Sequence, residues 1–428
     1  MLANRYFFPL IFFLILIEGL VRKTIPSIGT QAFLLKDLVI LIVFFLQLPF
    51  YKISNSFKVF GAVFFIYFLV FFISLFSLIL SDTGIYLYLL GFREYFFYVI
   101  IIPIAYNYFR ILDLDGINQL VRKFLYIGVF ISLLGIFQSL GILELDFLKI
   151  IKEYHQEHSS IAGVFYFTVS IFDVPEKFAI FNVLLFIIVY SSIRSKQQIT
   201  NHDYLFLAIF AICIIISGRR VAVFLTFLII LYDFAIYKKT TKSVMLSIIA
   251  LIISPLFLYF SVASIDPVLA EIIFSSNTLE DAWYYLNWSI GLFLNAFQNV
   301  DVLSGYFGIT SPGSDFIEGK YDIFTYEIEG FWDKTLFAMG ALGTVLLLIC
   351  FVMLLVIMSL IRSKFRQDYL LTSIIYYLIV VFVWGIKSGN FLVWAPLTFL
   401  ILALFYRRYE IIKLSTSKHF LNSRTNVI

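Results

Sequence analysis

Long apolar runs, separated by short polar stretches, fill most of the chain. A helix that crosses the hydrocarbon core of a bilayer needs about 20 apolar residues. Runs near that length fall at 6–21, 35–51, 58–80, 93–109, 123–143, 176–193, 203–218, 221–237, 243–263, 334–361, 369–386 and 390–406. They are too long and too continuous to be barrel strands, which alternate apolar and polar positions. The pattern therefore predicts an all-α, polytopic membrane helical bundle with about twelve transmembrane helices. The whole of 1–428 reads as one integral membrane domain, without an internal repeat. Pro103 and Pro396 fall inside predicted helices, where kinks are expected. The first run lacks a small-residue cleavage site and continues into Glu18-Gly19-Leu20-Val21-Arg22-Lys23, so it reads as a retained helix and not a signal peptide.

Composition strengthens this reading. Apolar residues make up 62% and charged residues 14% of the chain, and the mean hydropathy is +0.98. Soluble domains carry roughly 25% charge, so a water-facing surface cannot be built from these residues. The net charge of +4 is small and gives no nucleic-acid signature. The two cysteines, Cys213 and Cys350, lie in separate apolar runs and read as packing residues.

Lysine and arginine collect in cytoplasmic loops. Placing the N-terminus inside puts more than half of the 31 Lys and Arg on the inner side and both termini in the cytoplasm. Two long loops then face out, at about 144–175 and about 264–333. The second is rich in Tyr, Phe and Trp, which argues against disorder. Its segment Ala282 to Phe297 is amphipathic enough to lie on the membrane surface.

Arg93, Arg219, Arg220 and Lys320 break the inside-positive trend. Cations held on the outer side suggest a bound anion. Arg219-Arg220 is a pair of permanently charged, donor-rich groups at a helix end, suited to a diphosphate. The competing reading is interfacial anchoring, with side chains snorkelling to headgroups. For Arg93 the alternative is local pairing with Glu94, although sequence neighbours do not face each other on a helix. Glu329 ends the long loop. A carboxylate at the lip of a partly apolar site is suited to take a proton, but Glu318, Asp322, Glu327 and Asp333 compete for that role. Asp113-Leu114-Asp115-Gly116 lacks the twelfth-position Glu of a calcium loop, and His155 with His158 lacks further zinc ligands. Neither a phosphate-binding glycine loop with Lys nor a paired-Asp metal signature is present, and acids deep in the runs are scarce, which disfavours ion-coupled transport.

Four stretches resemble the superfamily of O-antigen ligases and O-antigen polymerases, the membrane glycosyltransferases of bacterial surface polysaccharides. Glu18-Gly19-Leu20-Val21-Arg22-Lys23 with Leu35-Lys36-Asp37 is similar to their first hairpin. Gly91-Phe92-Arg93 resembles their outer Gly-x-Arg. Ser217-Gly218-Arg219-Arg220 is similar to a Ser-Gly-Ser-Arg, with Arg220 on the key arginine. Glu329-Gly330, nine residues, then Gly340-Ala341-Leu342-Gly343 matches the spacing of a ligase motif in which Glu329 stands where the ligase has its essential His. Members often carry an Arg in the large loop; here 264–333 has none, and Lys320 is the cation available.

The resemblance implies a GT-C-like fold and inverting, metal-independent transfer from a lipid-diphosphate donor, with no cofactor. The expected activity is polymerisation of polyprenyl-diphosphate-linked oligosaccharide units into O-antigen, capsule or exopolysaccharide at the outer face of the bacterial inner membrane. The alternatives are ligation of polymer to lipid A core or another acceptor, and a lipid-linked oligosaccharide flippase. Arg93, Arg219 and Arg220 would hold the diphosphate, Glu329 would be the catalytic base, and Gly340 and Gly343 are the motif glycines. The implied partners are the lipid-linked oligosaccharide, membrane lipid and a chain-length regulator, with no nucleic acid.

Overall fold

The computed structural model describes residues 2–24, 29–50, 55–80, 84–140, 160–161, 165–166, 170–172, 175–195, 201–217, 219–238, 291, 294, 297, 302–303, 331–365, 368–385 and 395–425. Among them the chain forms twelve α-helices. These are α1 (Leu2–Thr24), α2 (Gly29–Gln47), α3 (Gly61–Leu80), α4 (Gly84–Tyr95), α5 (Ile101–Phe109), α6 (Leu114–Ser139), α7 (Pro175–Ser195), α8 (Asn201–Ile216), α9 (Arg220–Lys238), α10 (Phe331–Lys364), α11 (Tyr369–Trp384) and α12 (Ala395–Thr425). Short 3₁₀ turns cover Leu48–Phe50, Asn55–Phe60 and Phe97–Ile100. The described β structure is a two-residue antiparallel ladder, β1 (Ser160–Ile161) on β2 (Phe165–Tyr166). The expected run at 243–263 lies outside the described residues, as does most of the long loop 264–333.

Four of these helices are long and apolar enough to cross a membrane, or five if the bent pair Tyr88–Tyr95 and Phe97–Phe109 counts as one span. Shorter apolar helices lie at Phe7–Val21, His202–Ile216, Val221–Asp233 and Tyr369–Trp384. The very apolar α3 and α10 turn much of their surface outward, and Phe65 on α3 is 62% exposed. An apolar surface of that kind is compatible with hydrocarbon and costly in water.

Helix α7 occupies the middle. Nearly every residue from Phe178 to Val189 is buried, as expected of a helix that is apolar all round. Helices α6, α8, α9 and α11 pack around it. Small residues on α6 allow the close approach: a Cβ on Gly128 would sit 2.4 Å from Leu185 and one on Gly135 2.5 Å from Phe178. Between them, Ser132 donates to Asn182 Oδ1 at 2.7 Å, and Asn182 donates to the Phe178 carbonyl at 2.8 Å. Small residues plus one buried polar pair is the usual solution for helices that associate in lipid. A second group joins α1, α2, α5 and α12, and α3 lies along α10.

The two prolines do not kink helix interiors. Pro103 and Pro396 lie in the first turns of α5 and α12, where a missing N–H costs little. The chain bends by 42° at the break after Tyr95, ahead of the 3₁₀ turn that leads into α5. Asp113 is the N-cap of α6 and accepts the Gly116 N–H at 2.8 Å, which gives the Asp-Leu-Asp-Gly stretch a capping role. The other unexpected break is at Gly340, inside α10, with φ 71° and ψ −177°. Glycine alone populates that region comfortably. The backbone N–H of Leu342, released by the break, donates to the Val302 carbonyl at 3.1 Å.

Candidate functional site

Charged side chains gather at both ends of the bundle. Where α1 and α2 pack against the α4–α5 segment, four of them form a chain of alternating sign. Lys36 on α2 reaches Glu18 on α1 at 2.5 Å and lies 3.9 Å from Asp37. Asp37 leaves the helix in a different direction and accepts from Arg93 Nε on α4 through its Oδ2. Tyr98, in the 3₁₀ turn after the break, donates to the other oxygen, Oδ1, at 2.9 Å. The Lys36 ammonium also sits 4.9 Å above the Tyr98 ring. Two cations thus meet two carboxylates, and the cluster is neutral overall. Side-chain exposure is 5% at Lys36, 10% at Glu18 and 11% at Asp37, but 18% at Arg93. Arg93 is therefore the member nearest the surface.

Arg93 pairs with Asp37, 56 residues away in the sequence. Glu18, Lys36 and Asp37 entered the sequence reading only as a family-like hairpin. The signal that could have joined them to Arg93 was the presence of opposite charges inside apolar runs, which lipid tolerates when they pair.

Arg219 lies between α8 and α9. Its guanidinium pairs with Glu176, in the first turn of α7, at 2.7 Å and remains 39% exposed. Chain direction puts this pair at the same end of the bundle as Arg93. The two arginines nevertheless belong to separate clusters, one on the α1–α2 hairpin and one on α7. Arg220 is the first residue of α9; its side chain lies outside the described residues. So do Glu329, Lys320, Gly218 and Gly330. Of the motif glycines, Gly340 forms the break in α10. Gly343 is helical, and a Cβ there would meet Met339 of the same helix at 2.5 Å.

An apolar cavity of about 140 Å³ lies between α3, α10, α11, α12 and the 95–102 segment. It begins at Tyr95, Phe331 and Trp332 and runs to Phe60, Met358 and Tyr406 near the opposite end. Its α10 wall from Leu347 to Met358 alone represents about 16 Å of helix. Tyr95, Val99 and Ile102 line it, while Arg93 and Tyr98 of the same segment join the charged cluster. One short stretch of backbone therefore separates an ionic environment from an apolar one. The hydroxyl of Tyr95, a lining residue, lies 3.4 Å from Thr335 Oγ1.

The opposite end is held by carboxylates with several donors each. Asp233 on α9 receives Tyr190 at 3.2 Å, Arg194 at 3.3 Å and Tyr376, with Arg362 3.6 Å away. Asp368 caps α11 through Leu371 N–H and accepts Arg408 at 2.7 Å, and Arg408 also donates to Asn118 at 2.9 Å. Arg407 binds Glu410 and the carbonyls of Phe109, Arg110 and Leu112. These contacts join α5, α6, α7, α9, α10, α11 and α12 and leave a framework role as the simplest reading of this end.

The fold and site define a helical protein whose apolar helices are compatible with a membrane, carrying an ion-pair cluster beside a long apolar cavity. Set beside known protein families, curated proteins and solved structures, the chain finds no match.

Proposed function

We propose that the chain is a twelve-span, GT-C-like glycosyltransferase of the bacterial inner membrane. In this reading it polymerises polyprenyl-diphosphate-linked oligosaccharide units at the outer face, with both termini in the cytoplasm. The observation that carries the reading is the adjacency of the partly exposed Arg93 cluster and the apolar cavity on opposite faces of one segment. A lipid diphosphate has the same two parts, an isoprenoid tail that favours an apolar cavity and an anionic head that favours guanidinium groups. The spacing around Glu329 and the outward arginines of the sequence point the same way.

The chemistry follows from the donor, which already carries its leaving group. An acceptor hydroxyl attacks the anomeric carbon, and the bond from that carbon to the lipid diphosphate breaks. Glu329 takes the hydroxyl proton. Negative charge grows on the departing diphosphate, and fixed arginine donors in a medium of low dielectric stabilise it. In this reading Arg220 is the principal donor, and Arg93 and Arg219 are the further cations that hold the diphosphate. The aromatic loop 264–333 covers the sugars and excludes water.

The test is polymer formation from purified lipid-linked repeat units in proteoliposomes. The expected result is a ladder of glycosidically joined units. Transfer of the lipid across the bilayer with no new glycosidic bond would support a flippase, and transfer only to a separate acceptor would support a ligase.

A further inference from the structure

We infer that Asp37 is a positioning residue: it fixes the Arg93 guanidinium for a lipid-linked diphosphate, with Lys36 and Glu18 balancing its charge. The inference rests on the proposed function and extends it to residues outside the loop and arginine motifs. Asp37 holds Arg93 through Nε, and the Tyr98 hydroxyl fixes the other carboxylate oxygen at 2.9 Å. A carboxylate held by Tyr98 at one oxygen constrains the guanidinium that it binds through the other. Alone, Asp37 would cancel the charge of Arg93 and oppose an incoming anion. Lys36 lies 3.9 Å from Asp37 and shares that carboxylate's negative charge, while Glu18 satisfies Lys36 at 2.5 Å. Glu18 thus stands at one end of the alternating chain and Arg93 at the other, and Arg93 is the most exposed of the four charged members.

The experiment compares binding of a sugar-free polyprenyl diphosphate and of a polyprenol of equal chain length to the full-length protein in detergent, with thermal unfolding followed in parallel. Wild type should prefer the diphosphate. Asp37→Asn keeps the side-chain shape and the oxygen that accepts from Tyr98. It should lower that preference by about tenfold, the lower end of what losing an orienting partner costs at metal-binding sites, and leave polyprenol binding unchanged. The exchanged pair, Asp37→Arg with Arg93→Asp, should recover the melting temperature relative to either single charge change but not the preference. If Asp37→Asn retains the preference, or the exchanged pair restores it, Asp37 serves packing alone and the inference is overturned. If wild type itself binds both lipids equally, the proposed function fails first and the inference falls with it.

Discussion

Single residues carry two kinds of load in this protein, and substitution separates them. Asp233 is buried among two tyrosines and two arginines far from the candidate site. Removing one partner of a buried charge network costs roughly 3–5 kcal/mol. Asp233→Ala should therefore lower the melting temperature and yield strongly, while any protein that still folds keeps its specific activity. Arg220→Ala should do the reverse: normal insertion and melting, with transfer reduced by about 10²–10³, the effect of deleting one donor to a developing anion. Equal specific activities of wild type and Arg220→Ala would remove the diphosphate role. Glu329→Gln should reduce transfer by about 10²–10⁴ as a general base is lost, with steady-state rates as the measure. The sequence displayed Arg93 and Arg219 clearly, because they break a charge trend. It did not display their partners, because Asp37 and Glu176 are 56 and 43 positions away and pairing of that range belongs to tertiary structure.

Among the elements, the helices were legible and their breaks were not. Apolar runs mark where helices form, and the described helices lie on eleven of the twelve expected runs. Pro103 suggests a kink within a helix, yet the bend falls between Tyr95 and Phe97, ahead of the 3₁₀ turn, and Pro103 itself sits in the first turn of α5. In the sequence, motif spacing alone marks Gly340. Its left-handed φ is invisible in a pattern of apolar positions, and so is the loop carbonyl of Val302 that takes up the released N–H. Gly340→Ala should lose at least about 1–3 kcal/mol, the cost of holding a side chain in that backbone region, seen as a lower melting temperature. On α6, Gly135→Val should cost about 1–3 kcal/mol by overpacking against Phe178. Ala at Gly61, where a Cβ meets nothing within 4 Å, should be tolerated in the same melting assay.

For the whole molecule, the contacts agree with an alternating path through the bundle. Ion pairs join helix segments that the chain direction places together, such as Arg194 near the end of α7 with Asp233 in the last two turns of α9. Which end faces outward is a prediction from the loop charges. Arg219→Cys and Thr310→Cys should react with an impermeant thiol reagent from outside intact cells, and Thr240→Cys should not; the opposite pattern would invert the orientation. The native cysteines are buried, so background labelling should be low.

The central claim is that the protein makes glycosidic bonds from a lipid-diphosphate donor, and its most direct measurement is single-component synthesis in proteoliposomes. Purified protein and one polyprenyl-diphosphate-linked oligosaccharide are incubated with neither nucleotide sugar nor added divalent metal, and products are resolved by size. The expected result is a ladder spaced by one repeat unit, with one free polyprenyl diphosphate released for each bond formed, abolished by Arg220→Ala. Persistence of the intact donor, or its movement between leaflets with no diphosphate released, would contradict it.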